Sequence, residues 1–319
     1  MAASEKRDIF RTANWIGGAL IVSQLAAFFA ASGYAMLLYF LGHLTQSGKS
    51  IHFMDDEMSY ILFSILMFVP FFVLCVRCNH RRLSEVVRFD KHSPKLGAAL
   101  VLVCLGFFLA GNLLSNFVYY ILNSLGHPPY QPVAFQPDTP FGLAAALLSS
   151  ACIPALAEEF AFRGVVLGLL RPYGKRLAII VSAILFALMH GNLVQIPFAF
   201  VGGLALGYAT VRSGSLWPSI IAHFINNAMS YLLNYLVRDI PQDSGDLIYF
   251  LYTLLLLVLG VAGVILVRRY NRKTSYRLND GDGTFHAAAL SERAAMLAGS
   301  PTLIVFAVYC IYSASQFIL

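Results

Sequence analysis

The stretch "SSACIPALAEEFAFRGVVLGLL", residues 149–170, decides how the rest of the chain is read. It belongs to an apolar run over 140–170, and ~20 such residues suffice to cross a bilayer. Yet Glu158, Glu159 and Arg163 stand in its middle. An ionisable group at that depth costs at least ~2.5–3.5 kcal/mol on insertion scales, so partners or function must offset it.

Apolar runs recur at 15–42, 59–76, 97–122, 177–192, 194–211, 215–237, 247–267 and 301–318. Of the 319 residues, 58% are hydrophobic and 12% charged, and the mean hydropathy is +0.70, outside the range of a soluble domain. The pattern predicts an all-α, polytopic transmembrane bundle of eight or nine helices. The shorter runs at 177–192 and 194–211 are expected to form a tilted or partly re-entrant pair. Residues 1–319 are expected to be one integral membrane domain with no internal repeat, which argues against an inverted-repeat transporter. The Pro-rich stretch 126–140 and the polar segment 279–293 are read as loops.

A formal net charge of +6 raises the question of nucleic acid, but the basic residues fall in alternate loops. Lys6, Arg7 and Arg11 precede the first run, Arg77 to Lys95 follow the second, Arg171, Lys175 and Arg176 the fourth, Arg212 the sixth, and Arg268 to Arg277 the eighth. Intervening loops hold Asp55, Asp56 and Glu57, then Asp138, then Asp239, Asp243 and Asp246. That alternation is the positive-inside pattern, with the N-terminus cytoplasmic, and no nucleic-acid partner is expected. "RRYNRK" at 268–273 can touch anionic lipid heads. The five cysteines offer no disulfide framework, and Cys75 and Cys78 are read as helix-end residues.

Helical geometry separates the two glutamates. Glu159 and Arg163 are four apart with the Glu first, the favourable order for a same-face ion pair. A buried polar knot that holds helices together explains those two as well as a catalytic role does. Glu158 is rotated by about 100° from Glu159 and must find another neighbour. Pro154 cannot donate to the Ser150 carbonyl, which loosens the helix one turn before Glu158. Two further runs carry imidazoles with a companion four residues away: Phe186 with His190, and His223 with Asn227. At ~1.5 Å per residue, Glu158 lies ~20 Å from Arg171, His190 ~21 Å from Arg176, and His223 and Asn227 ~17 and ~22 Å from Arg212. The four groups thus converge near the membrane midplane.

E-E-x-x-x-R at 158–163, F-x-x-x-H at 186–190 and H-x-x-x-N at 223–227 resemble the three signature motifs of the CPBP family of intramembrane endopeptidases, the Abi or CAAX-protease-like family. The resemblance covers roughly 150–235, within an expected protease core of about 140–240. It implies hydrolysis of a membrane-associated peptide, lipidated or hydrophobic, that enters laterally. Glu158 would be the base that activates water, His190 would orient Glu158 or the water, and His223 and Asn227 would face the developing oxyanion. Glu159 with Arg163 would fix the helix, with Phe186 in support. No G-x-S-x-G, H-E-x-x-H or paired-Asp signature competes.

Metal use stays open at this level. Glu158, His190 and His223 are also a zinc ligand set with a free position for water, while a metal-independent, glutamate-activated water is preferred. The rival reading is a non-catalytic scaffold, channel or transporter that uses the same polar cluster to bind an ion or partner. A multi-pass protein of a bacterial cell membrane, in contact with membrane lipids and a peptide substrate, is the expectation. Gly203 and Gly207, a G-x-x-x-G pair, place the sixth helix against a site helix.

Overall fold

The computed structural model describes residues 3–45, 68–129, 136–274, 276 and 290–316. These form α1 (Ala3–Thr45), α2 (Phe68–Cys78), α3 (Leu83–Val86), α4 (Pro94–Ser124), α5 (Pro140–Tyr173), α6 (Lys175–Met189), α7 (Gln195–Ser213), α8 (Trp217–Val237), α9 (Gln242–Lys273), α10 (Leu290–Ala298) and α11 (Pro301–Ser315). There is no strand among the described residues; one isolated bridge joins Phe89 and Ser215. Prolines open four of the helices within their first two positions, Pro94, Pro140, Pro218 and Pro301, where the missing amide costs nothing. Thr139 caps α5 by accepting from the Gly142 amide at 3.0 Å. α7 stops at Gly214, whose φ of +71° suits a residue without a Cβ.

Among the described residues, four helices or parts of them are long and apolar enough to cross a bilayer: Ser4–Ala30, Pro94–Ser124, Pro140–Tyr173 and Gln242–Lys273. A fifth is added if α10 and α11, which meet at 70°, count as one broken span. This is an integral membrane protein by its helices, and α10–α11 form a bent pair. α6 is only 15 residues long, and α7 and α8 are less apolar. These are the helices that carry the imidazoles or pack beside them.

Several boundaries differ from those read in the sequence. α1 begins at Ala3 and takes Lys6, Arg7 and Arg11 into its first turns. The run at 59–76 is described only from Phe68, and Asp55, Asp56 and Glu57 lie outside the described residues. The end of the polar segment 279–293 is helical from Leu290, because Arg293 and Leu297, one turn apart, are both buried.

Two packed clusters make up the interior, and α7 joins them. One gathers residues of α1, α2, α5, α6 and α11, with Ala199 of α7. The other gathers α4, α8 and α9 around Ala205, Leu206 and Ala209. α4 and α9 cross where Gly106 meets Gly260; a Cβ on either would lie 2.6 Å from the other's Cα, so only glycine permits the approach. Gly203 and Gly207 turn toward α6: a Cβ on Gly203 would lie 3.1 Å from Ala183, and one on Gly207 3.1 Å from Ile179. The sixth helix therefore packs against a site helix, as the small-residue spacing predicts. At the end bearing the basic loops, Thr12 of α1 donates to Asn79 at 3.0 Å and lies 3.2 Å from the Tyr173 hydroxyl of α5. Arg293 of α10 donates to the Tyr173 carbonyl.

Candidate active site

α5 is not a regular helix. Leu147–Cys152 and Phe160–Val166 wind as π-turns on either side of the α-helical Ile153–Glu159. A π-turn fits an extra residue into the coil and disturbs the normal pairing of backbone carbonyls. Side chains of other helices bond two carbonyls in these turns. Ser182 Oγ of α6 donates to the Phe162 carbonyl at 2.8 Å. Asn227 Nδ2 of α8 donates to the Ser150 carbonyl at 3.4 Å, the group to which Pro154 has no amide to offer.

The segment between the π-turns presents both glutamates, and their surroundings differ. Glu159 and Arg163 pair at 3.0 Å with both side chains fully buried, as the four-residue spacing predicts. The same oxygen, Glu159 Oε1, accepts from Nδ1 of His223 at 3.0 Å. Arg163 stacks its guanidinium over the Phe186 ring, 4.1 Å from the centroid, a cation–π contact. A Cβ on Gly203 would reach within 3.4 Å of Arg163 Nη2. Burying a charge costs least when it is paired and hydrogen-bonded; Arg163 is paired with Glu159 and Glu159 accepts from His223, which links α5 to α8, while no guanidinium nitrogen of Arg163 makes a hydrogen bond among the described residues.

Glu158 stands outside these contacts. Its side chain keeps 18% exposure, and Oε2 lies 3.8 Å from His223 Nε2. That gap is too wide for a direct hydrogen bond and is a distance at which a bridging water comes into question. His190, just past the end of α6, donates Nδ1–H to the Phe186 carbonyl at 2.8 Å. The carbonyl can only accept, so in the neutral ring Nε2 keeps its lone pair. His190 lies within electrostatic reach of Glu158, His223 and Arg163. The Phe186 ring stands edge-on to both imidazoles, with centroids 4.8 Å from His190 and 6.0 Å from His223.

Six of the seven residues singled out from the sequence thus meet in one place: Glu158, Glu159, Arg163, Phe186, His190 and His223. Asn227 lies one turn beyond His223 on α8, with its amide on Ser150 and its Oδ1 accepting from Asn226 at 3.1 Å. Sequence reasoning missed Ser182, Asn226 and the contact of Gly203 with Arg163. Nothing in a helical wheel announces a π-turn, which is what exposes the carbonyls that Ser182 and Asn227 hold. Among the described residues no three His, Cys, Asp or Glu side chains are grouped to hold a metal ion.

Residues 140–229 match a family model described as type II CAAX prenyl endopeptidase Rce1-like. No curated protein and no solved structure matches the chain. The matched segment runs from the start of α5 into α8 and contains all seven residues above.

Proposed function

From the match of residues 140–229 to the Rce1-like family model, we propose that this protein is an intramembrane endopeptidase of the CPBP family in which Glu158 activates the attacking water. One observation carries the reading: of two adjacent glutamates, Glu159 is locked between Arg163 and His223, while Glu158 is partly open and faces an imidazole across 3.8 Å. A merely structural doublet has no need of that division.

In this reading a water donates one hydrogen to the Glu158 carboxylate and the other to Nε2 of His190, which the Phe186 carbonyl leaves as an acceptor. Its free lone pair attacks the scissile carbonyl carbon as Glu158 takes the proton. The carbonyl oxygen becomes an oxyanion, met by Asn227 Nδ2 and by His223 Nε2. His223 donates from Nε2 when its ring carries both protons, with Glu159 as the counter-charge 3.0 Å from Nδ1. The tetrahedral intermediate collapses, the C–N bond breaks, and the proton held by Glu158 passes to the leaving amine. Glu159, Arg163 and Phe186 position the other groups and touch no substrate.

The finer features of the reading follow from the same family and from the charge pattern. Eight or nine helices cross a bacterial cell membrane. The chain is one integral membrane domain with its protease core at about 140–240, and the N-terminus is cytoplasmic because the basic loops share its side. The substrate is a lipidated or otherwise hydrophobic peptide, in contact with membrane lipids, and no step needs a metal.

The test is purified protein in detergent with a farnesylated peptide ending in Cys-aliphatic-aliphatic-X, its products identified by mass. Release of the last three residues by protein stripped with a chelator is the expected result. Intact peptide under all conditions overturns the endopeptidase reading. Activity lost on chelation and restored by zinc overturns the metal-independent mechanism alone.

A further inference from the structure

Asn226 has so far been assigned no role, yet it makes a directed contact beside the site. Its Nδ2 donates to Asn227 Oδ1 at 3.1 Å, and Asn227 Nδ2 donates in turn to the Ser150 carbonyl at 3.4 Å. An amide has one accepting and one donating end, and rotation by half a turn exchanges them. Asn226 presents its amide nitrogen to the oxygen end of Asn227. The Ser150 carbonyl is an acceptor, so the end that faces α5 must be the nitrogen. The carbonyl thus fixes the orientation, and the bond from Asn226 strengthens it.

The Ser150 contact depends on the backbone of α5. Pro154 stands four residues beyond Ser150 and brings no amide hydrogen, and Leu147–Cys152 is a π-turn. The α-helical partner of this carbonyl is thus missing, and Asn227 of α8 donates to it. At 3.4 Å the bond is long, so Asn227 gives up little when its nitrogen turns from Ser150 to a stronger acceptor. An oxyanion is such an acceptor.

We propose that Asn226 is a positioning residue: by holding Asn227 Oδ1 it aims the amide nitrogen of Asn227 into the site, with the Ser150 carbonyl as its resting partner. This rests on the reading of Asn227 as an oxyanion donor. Without Asn226 only the long bond to the Ser150 carbonyl holds the Asn227 amide, and when that bond opens the acceptor end meets the oxyanion part of the time.

The experiment measures peptide cleavage and melting of full-length protein in one detergent for wild type, Asn226→Leu, Asn227→Leu and the double variant. The probe is the farnesylated peptide above. Asn226→Leu is expected to lower kcat on the order of 10-fold at unchanged KM, short of the ~10²-fold that a misplaced group can cost. Asn227→Leu is expected to lower it further. The double variant should match Asn227→Leu in kcat and in melting temperature, because Asn226 acts only through Asn227. Asn226→Gln, which retains an amide donor, should recover part of the loss.

Multiplicative losses in kcat, additive shifts in melting temperature, or wild-type kcat in Asn226→Leu overturn the proposal. If wild type cleaves nothing, the endopeptidase reading fails, and non-additive melting still decides whether Asn226 holds Asn227. If Asn227→Leu alone leaves kcat intact, the oxyanion role falls and with it the purpose assigned to Asn226.

Discussion

Glu159 is a carboxylate with two jobs, since one of its oxygens meets both Arg163 and His223 at 3.0 Å in a fully buried setting. Removing its charge strands the guanidinium of Arg163, and breaking one side of a buried pair typically costs ~3–5 kcal/mol. Glu159→Gln should therefore lower the melting temperature in detergent or the yield of folded protein. A wild-type melt would mean that Arg163 finds other compensation. The Glu159–Arg163 pair was legible in the sequence because both residues lie on one helix, where spacing dictates contact. The His223–Glu159 bond joins residues 64 positions apart; the motifs suggested a shared depth but could not say which glutamate His223 would hold. The state of His190 was beyond reach too, because a backbone carbonyl sets it and composition does not.

The same contrast holds for whole elements. Apolar length announced α4, α5 and α9, and the G-x-x-x-G of α7 announced its close approach to α6. The π-turns of α5 were not announced; only Pro154 hinted that the helix loosens before Glu158. Their consequence can be tested by giving Ser150 its usual partner. Pro154→Ala removes a residue that is about 3 kcal/mol less favourable than Ala in a helix interior and supplies an amide that competes with Asn227 for the Ser150 carbonyl. The variant should melt higher and cleave more slowly, a pairing that ordinary damage does not produce. An unchanged melt with unchanged cleavage would contradict this account of α5. At the α6–α7 crossing, Gly203→Leu drives a side chain toward Ala183 and Arg163. Overpacking of this kind typically costs 1–3 kcal/mol, and an unaltered melting profile would show that α7 has room to shift.

Across the whole molecule, helices long and apolar enough to span surround shorter and more polar ones. α4 and α9 cross at paired glycines and form one flank of α7, while α5 and α6 form the other. α8, with His223, Asn227 and two further asparagines on 21 positions, packs its polar side against α4, α5 and α7, while Trp217, Ile221, Phe224 and Leu236 stay exposed. The count of crossing helices was hard to read because the helices that carry the imidazoles are shorter or interrupted by polar residues, which lowers their mean hydropathy. The central claim, that Glu158 is the base while its neighbour holds the fold, rests on the unequal surroundings of two side chains one residue apart. The most direct test is the cleavage rate of Glu158→Gln, measured with its melting curve beside Glu159→Gln in the same detergent. The account predicts that Glu158→Gln melts like wild type and cleaves slower by a factor on the order of 10² to 10⁴, the range for losing general-base catalysis, while Glu159→Gln is destabilised. Near-normal cleavage by Glu158→Gln, or equal loss of stability in both variants, would contradict it.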